Sequence, residues 1–137
     1  KQLLKQRSTC KISAQACPLF VPLVEEGWLE RGVTVSVAQE YLRPIQKAGV
    51  DTLILGCTHY PLLKQTLRGI LGPDVFLVDS AQEVALELRS LLEEEGLLNT
   101  ARHTSKNLFL VSDGPEHFRR LAEKFLGREI VLKKKSF

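Results

Sequence analysis

Cys57, Thr58 and His59 stand side by side in the middle of the sequence, and together they can do acid–base chemistry. A thiol and an imidazole two residues apart can share or exchange a proton, and the Thr58 hydroxyl with the surrounding backbone amides could hold a carboxylate. The triplet follows an apolar run, Thr52-Leu53-Ile54-Leu55, and precedes a helix-like pattern. Backbone N–H groups at a helix start favour negative charge, so a cysteine placed there gains thiolate character. The competing structural account makes Cys57 a small apolar packing residue and His59 a capping or surface histidine. The other thiols are less promising. Cys17 sits in Ala-Cys-Pro and reads as a packing residue; Cys10, in a polar stretch, reads as having no chemical role.

The elements that must position the triplet alternate along the chain. Thr52–Leu55 is a compact run bounded by Gly49 and Gly56, and reads as a strand buried on both faces. Leu63, Leu67, Ile70 and Leu71 then recur with helical spacing up to Gly72-Pro73. Val75–Val78 repeats the strand pattern. Ser80 and Glu83 have the spacing of a capping box, opening a helix whose face carries Val84, Leu88, Leu91 and Leu92 and which ends by Gly96. Asn99–Lys106 reads as a loop. The unit then recurs: a strand over Leu108–Val111, a turn at Asp113–Glu116, a helix with Phe118, Leu121, Ala122, Phe125 and Leu126 on one face, and a last strand at Ile130–Leu132. Upstream, Lys11–Ala16 reads as a further strand, with helices over Val21–Trp28 and Thr34–Lys47, the second kinked at Pro44. Lys1 opens into another helix-like segment. Strands alternating with helices predict an α/β protein with mostly parallel sheets flanked by helices, and in such sheets ligands bind beyond the carboxyl ends of the strands. Those ends lie after Ala16, Leu55 and Val78, with the turn after Val111 a weaker fourth.

Composition sets the outer limits. The chain has 137 residues, 44% hydrophobic and 26% charged, the balance of a globular domain or two small lobes. Its net charge of +3 comes from 19 Lys+Arg against 16 Asp+Glu, with Lys133, Lys134 and Lys135 forming a short basic run near the end. One such run reads as a solvated terminus, and no basic, aromatic-interleaved stripe predicts a nucleic-acid partner. Three cysteines without a C-x-x-C pair predict free thiols in a reducing compartment rather than a disulfide framework. The apolar runs are far too short to span a membrane, and the sequence opens without a basic-then-apolar leader.

The segment Leu53-Ile54-Leu55-Gly56-Cys57-Thr58-His59-Tyr60-Pro61-Leu62-Leu63 resembles the second cysteine motif of the aspartate/glutamate racemase family, glutamate racemases in particular. Ala16-Cys17-Pro18-Leu19-Phe20-Val21-Pro22-Leu23-Val24-Glu25-Glu26-Gly27 is similar to a segment that precedes it there, and Asp79-Ser80-Ala81 fits the same pattern. The resemblance covers essentially the whole chain. It implies interconversion of L- and D-glutamate without pyridoxal phosphate or any other cofactor, by two cysteines on opposite faces of the α-carbon. Cys57 matches the second of these, acting on the L-enantiomer. Thr58 and His59 match positions that contact substrate, with His59 also assisting Cys57. Glu26 aligns with an acidic residue of the site, and Glu25 is its adjacent competitor. The resemblance also implies a cytoplasmic enzyme feeding D-glutamate into peptidoglycan synthesis, with glutamate as its small-molecule partner, no bound metal, and room for a homo-oligomer.

The departures are as informative. The family's first cysteine lies in Ala-Cys-Asn-Thr, and an Asp-Ser-Gly segment helps bind substrate; neither occurs here. The resemblance therefore implies the C-terminal portion of a two-lobed, pseudo-symmetric enzyme. Residues 1–79 would be part of the second lobe and carry the Cys57 half-site, and residues 80–137 would return to the first lobe. Such a chain would hold one of two thiols and be inactive alone. Three alternatives stay open: a cysteine hydrolase built on Cys57 and His59, against which residues two apart after a strand tend to diverge and no orienting third member is evident; a regulatory or metal-binding fragment, for which Cys-x-His is thin; and a related aspartate or hydantoin racemase.

Overall fold

The computed structural model describes residues 10–100 and 107–136. The helix-like opening at Lys1 and most of the Asn99–Lys106 loop lie outside them. The described residues form two compact units, one within Lys1–Ser80 and one within Ala81–Phe137.

In the first unit the elements run α1 (Phe20–Glu25), α2 (Gly32–Lys47), β1 (Thr52–Leu55), a 3-10 turn (Tyr60–Leu63), α3 (Lys64–Leu71) and β2 (Phe76–Asp79). β1 and β2 pair in parallel, Thr52 opposite Phe76 and Leu55 opposite Asp79, with α3 as the crossover between them. α2 is a single helix that runs through Pro44, and Thr34, Ala38, Leu42 and Ile45 form its buried stripe at helical spacing. These side chains join Phe20, Val24, Leu55, Leu63, Leu67 and Leu77 in the core. Gly72, at φ +85°, ends α3 in a backbone conformation that other residues rarely adopt.

The second unit repeats the pattern on a smaller scale. β3 (Phe109–Val111) and β4 (Leu132–Lys134) pair in parallel, with α5 (Pro115–Leu126) between them in sequence. α4 (Ser80–Glu94) begins at Ser80 itself, with Glu83 in its first turn. Lys134 Nζ reaches Asp113 Oδ1 at 2.8 Å, fastening β4 to the turn that follows β3. That hydrogen bond, with a second from the Gly114 backbone, holds the Asp113 carboxyl below its ordinary value.

Three expectations need correction. Lys11–Ala16 is not a strand: it has no regular structure, and Ile12 is half exposed. A strand needs a neighbour to complete its backbone hydrogen bonds, and none is paired to it among the described residues. β1 is not buried on both faces, because Leu55 is 1% exposed but Ile54 is 52% exposed. In a two-stranded sheet covered on one face, alternate side chains point away from the core. β2, read from sequence as a strand of the same kind, likewise exposes Phe76 while burying Leu77, and the face of α4 at Val84, Leu88 and Leu91 is exposed too. The remaining strands and helices fall within one to three residues of their expected places, and the α/β class with parallel strands is observed.

Candidate active site

β1 delivers the chain to the site. After Leu55 the backbone leaves the sheet, and Tyr60 N–H closes a turn on the Cys57 carbonyl at 3.2 Å. The element that follows is a four-residue 3-10 turn, and the α-helix starts only at Lys64. Cys57 therefore does not sit on the N-terminus of an α-helix as the sequence suggested. Its chemistry rests on its neighbours instead.

The turn folds the imidazole of His59 back onto its own segment. His59 Nδ1 lies 3.9 Å from Cys57 Sγ and 3.3 Å from Thr58 Oγ1. Its other nitrogen, Nε2, is 3.4 Å from Glu25 Oε1 at the end of α1. In the tautomer with the proton on Nε2, Nδ1 can accept from the thiol or the hydroxyl while Nε2–H points at the carboxylate. The imidazole thus stands between thiol and carboxylate, with Cys57 partly exposed and Thr58 exposed.

Glu26, the acidic residue picked from sequence, takes a different place. It caps the C-terminus of α1, giving its backbone N–H to Pro22 O, and is exposed. Glu25 occupies the last helical position, and of the two adjacent carboxylates it is the one that meets His59. Cys57 and His59 converge rather than diverge, and Glu25 lies on the far side of the imidazole.

Two further residues fix the turn, and sequence reasoning passed over both roles. The Tyr60 hydroxyl donates to the Cys17 carbonyl at 3.3 Å, and its ring packs edge-on against Phe20, which packs edge-on against Tyr41. Burial raises the Tyr60 phenol above its ordinary value, and the nearby Cys17, Cys57 and Tyr41 add to this. Burial also raises the Cys17 thiol, which keeps it protonated and consistent with packing. Thr66 anchors the start of α3 by donating to the Leu29 carbonyl at 2.7 Å. Among the described residues, no group of three or more His, Cys, Asp or Glu side chains is placed to hold a metal ion. No helix among them is long and apolar enough to cross a membrane.

Comparison with known proteins places this geometry in context. No family model matches the chain. Curated relatives do: glutamate racemase of Syntrophus aciditrophicus is 51% identical over 120 residues, which is 88% of this chain and 44% of that protein. Glutamate racemase of Neisseria meningitidis serogroup C is 53% identical over 117 residues, 85% of this chain and 43% of that protein. Among solved structures, glutamate racemase RacE1 of Bacillus anthracis superposes with a TM-score of 0.86 at 32% identity, covering 98% of this chain and 50% of that one. The Francisella tularensis glutamate racemase, solved with D-glutamate, gives 0.84 at 38% identity over 98% of this chain and 51% of that one. The chain is a homologue of glutamate racemases over most of its length, and it spans about half the length of the curated relatives it matches.

Proposed function

We propose that this chain supplies one of the two thiols of a cofactor-independent glutamate racemase. In this reading the Cys57 thiolate removes the α-proton of L-glutamate, leaving a planar carbanion. A thiol supplied from outside these 137 residues then delivers a proton to the opposite face, giving D-glutamate; in reverse, Cys57 as thiol donates. His59 exchanges the proton with Cys57 and Glu25 orients the imidazole, while Thr58 and His59 contact the substrate. Residues 1–79 would act as part of one lobe and 80–137 as part of the other. The product would be D-glutamate for peptidoglycan synthesis in the cytoplasm.

The observation that carries the reading is the Cys57–His59–Glu25 arrangement on a turn beyond a parallel strand, in a chain whose relatives are glutamate racemases. The same arrangement would suit a thiol hydrolase, and the relatives favour the racemase. The test is a chimera in which this chain replaces the matching half of the Neisseria meningitidis enzyme. Incubated with L-glutamate in D2O and followed by proton NMR, it should exchange the α-hydrogen, and Cys57→Ser should abolish that exchange. Exchange that survives Cys57→Ser, or an acyl-enzyme trapped on Cys57, would overturn the reading.

A further inference from the structure

The segment that carries Cys57 and His59 leaves β1 at Leu55 and enters α3 at Lys64. Opposite Leu55 in the sheet stands Asp79, the last residue of β2. Lys64 Nζ lies 2.7 Å from Asp79 Oδ2. The ion pair therefore closes a ring: along the chain from Leu55 to Lys64, across the salt bridge to Asp79, and back to Leu55 through the strand pairing. Cys57, Thr58 and His59 all lie on that ring.

Asp79 is 9% exposed, a burial at which a carboxylate needs a counter-charge or hydrogen bonds to remain ionised. Lys64 supplies a charge-assisted contact from the first residue of α3. On the other side, the segment is held by Tyr60 to the Cys17 carbonyl and by Thr66 to the Leu29 carbonyl. Those contacts tie it to the α1 region. The Lys64–Asp79 pair ties it to the sheet, at the strand end where the segment begins.

We infer that Lys64 and Asp79 are positioning residues for the reacting thiol: by closing this ring they keep His59 within proton-sharing reach of Cys57. The inference rests on the reading of Cys57 and His59 as the reacting pair. Neither residue is a catalytic residue in this scheme, since both act through the turn. A pair serving stability alone would move the unfolding transition and leave the reactivity of Cys57 unchanged.

The test uses the 137-residue chain and the alkylation of Cys57 by iodoacetamide across a range of pH, read by peptide mass spectrometry so that Cys10 and Cys17 are scored separately. Lys64→Gln and Asp79→Asn should each slow alkylation of Cys57 at neutral pH by about tenfold, the scale of one lost charge-assisted hydrogen bond, and move the rise of its pH profile to higher pH. Lys64→Arg, whose guanidinium can still donate to Asp79, should restore both. Trp28 fluorescence and far-UV circular dichroism establish that each variant is folded. Should Lys64→Gln fail to fold, Asp79→Asn, which leaves no buried charge unpaired, carries the same comparison. The inference is overturned if the profiles match that of the unmodified chain, if the two variants shift in opposite directions as a through-space charge effect would, or if Lys64→Arg restores nothing. His59→Gln separates this failure from that of the site itself. A Cys57 profile that responds to His59→Gln but not to Lys64→Gln overturns the positioning role alone; one that ignores His59→Gln overturns both.

Discussion

Phe20 is the side chain on which the Cys57 turn leans, and replacing it gives a sharp prediction. Phe20 is 2% exposed and its ring meets Tyr60 at 5.3 Å and 86° and Tyr41 at 5.4 Å and 72°. Edge-to-face pairs of this kind contribute roughly 0.5–1.5 kcal/mol each beyond the area they bury. Phe20→Leu removes both and leaves a smaller void than truncation to Ala, which in a core costs about 3–5 kcal/mol. The expected loss is roughly 2–3 kcal/mol, a large share of the ~5–15 kcal/mol that holds a typical domain together. Urea unfolding can be followed by the fluorescence of Trp28, the single tryptophan. With a slope of about 1–2 kcal/mol per molar urea, the midpoint should fall by roughly 1–3 M at unchanged slope. A double-mutant cycle with Tyr60→Leu isolates the ring pair and should return a coupling of about 0.5–1.5 kcal/mol. A loss below about 0.5 kcal/mol, the range of ordinary surface substitutions, or a coupling of zero, would refute the claim that this cluster anchors the turn.

Other perturbations test neighbouring links. Thr66→Val removes the hydroxyl that donates to Leu29 and leaves that carbonyl short of a partner, so urea unfolding should show a loss of about 1–2 kcal/mol. Glu25→Gln should slow Cys57 alkylation several-fold while Glu26→Gln leaves it unchanged, because only Glu25 meets His59; the Coulombic effect is modest, since Glu25 is half exposed. Tyr60 and Cys17 are both raised by burial in the folded chain, so their contribution is fully present below the unfolded values of 10.0 and 9.0 and is lost as pH rises through the folded ones. The thermal unfolding midpoint should accordingly fall above about pH 9, less steeply in Tyr60→Phe. Asp113 has the opposite sign: its lowered value stabilises above the unfolded carboxylate value of 3.8 and is lost as pH falls through the folded one. Lys134→Gln should shrink that acid limb.

The regular elements were legible because their signals are local. Apolar runs of four residues marked β1 and β2, and the 3.6-residue spacing of Leu63, Leu67 and Ile70 marked α3. What the sequence left open was decided by partners distant in the chain. Lys11–Ala16 has strand-like composition but no paired neighbour among the described residues, and β1 exposes Ile54 because its sheet is narrow and covered on one face. Which of Glu25 and Glu26 lies beside His59 depends on the residue at which α1 stops, a matter of one position that composition cannot resolve. Tyr60 reaches Cys17 across 43 residues, and Lys64 reaches Asp79 from the next strand, so neither contact leaves a periodic trace. Cys57, Thr58 and His59 were recognisable as a unit; that the imidazole bridges thiol and carboxylate became visible only once α1 was set beside the turn.

The most direct test of the two-thiol account is to assay the 137-residue chain alone and then together with the Ala-Cys-Asn-Thr-containing half of a homologous racemase supplied as a separate polypeptide. Conversion of L- to D-glutamate is followed by circular dichroism. The account predicts no racemisation by the 137-residue chain, racemisation when the second thiol is provided, and its loss when Cys57 is replaced by serine. Robust racemisation by this chain alone would contradict it.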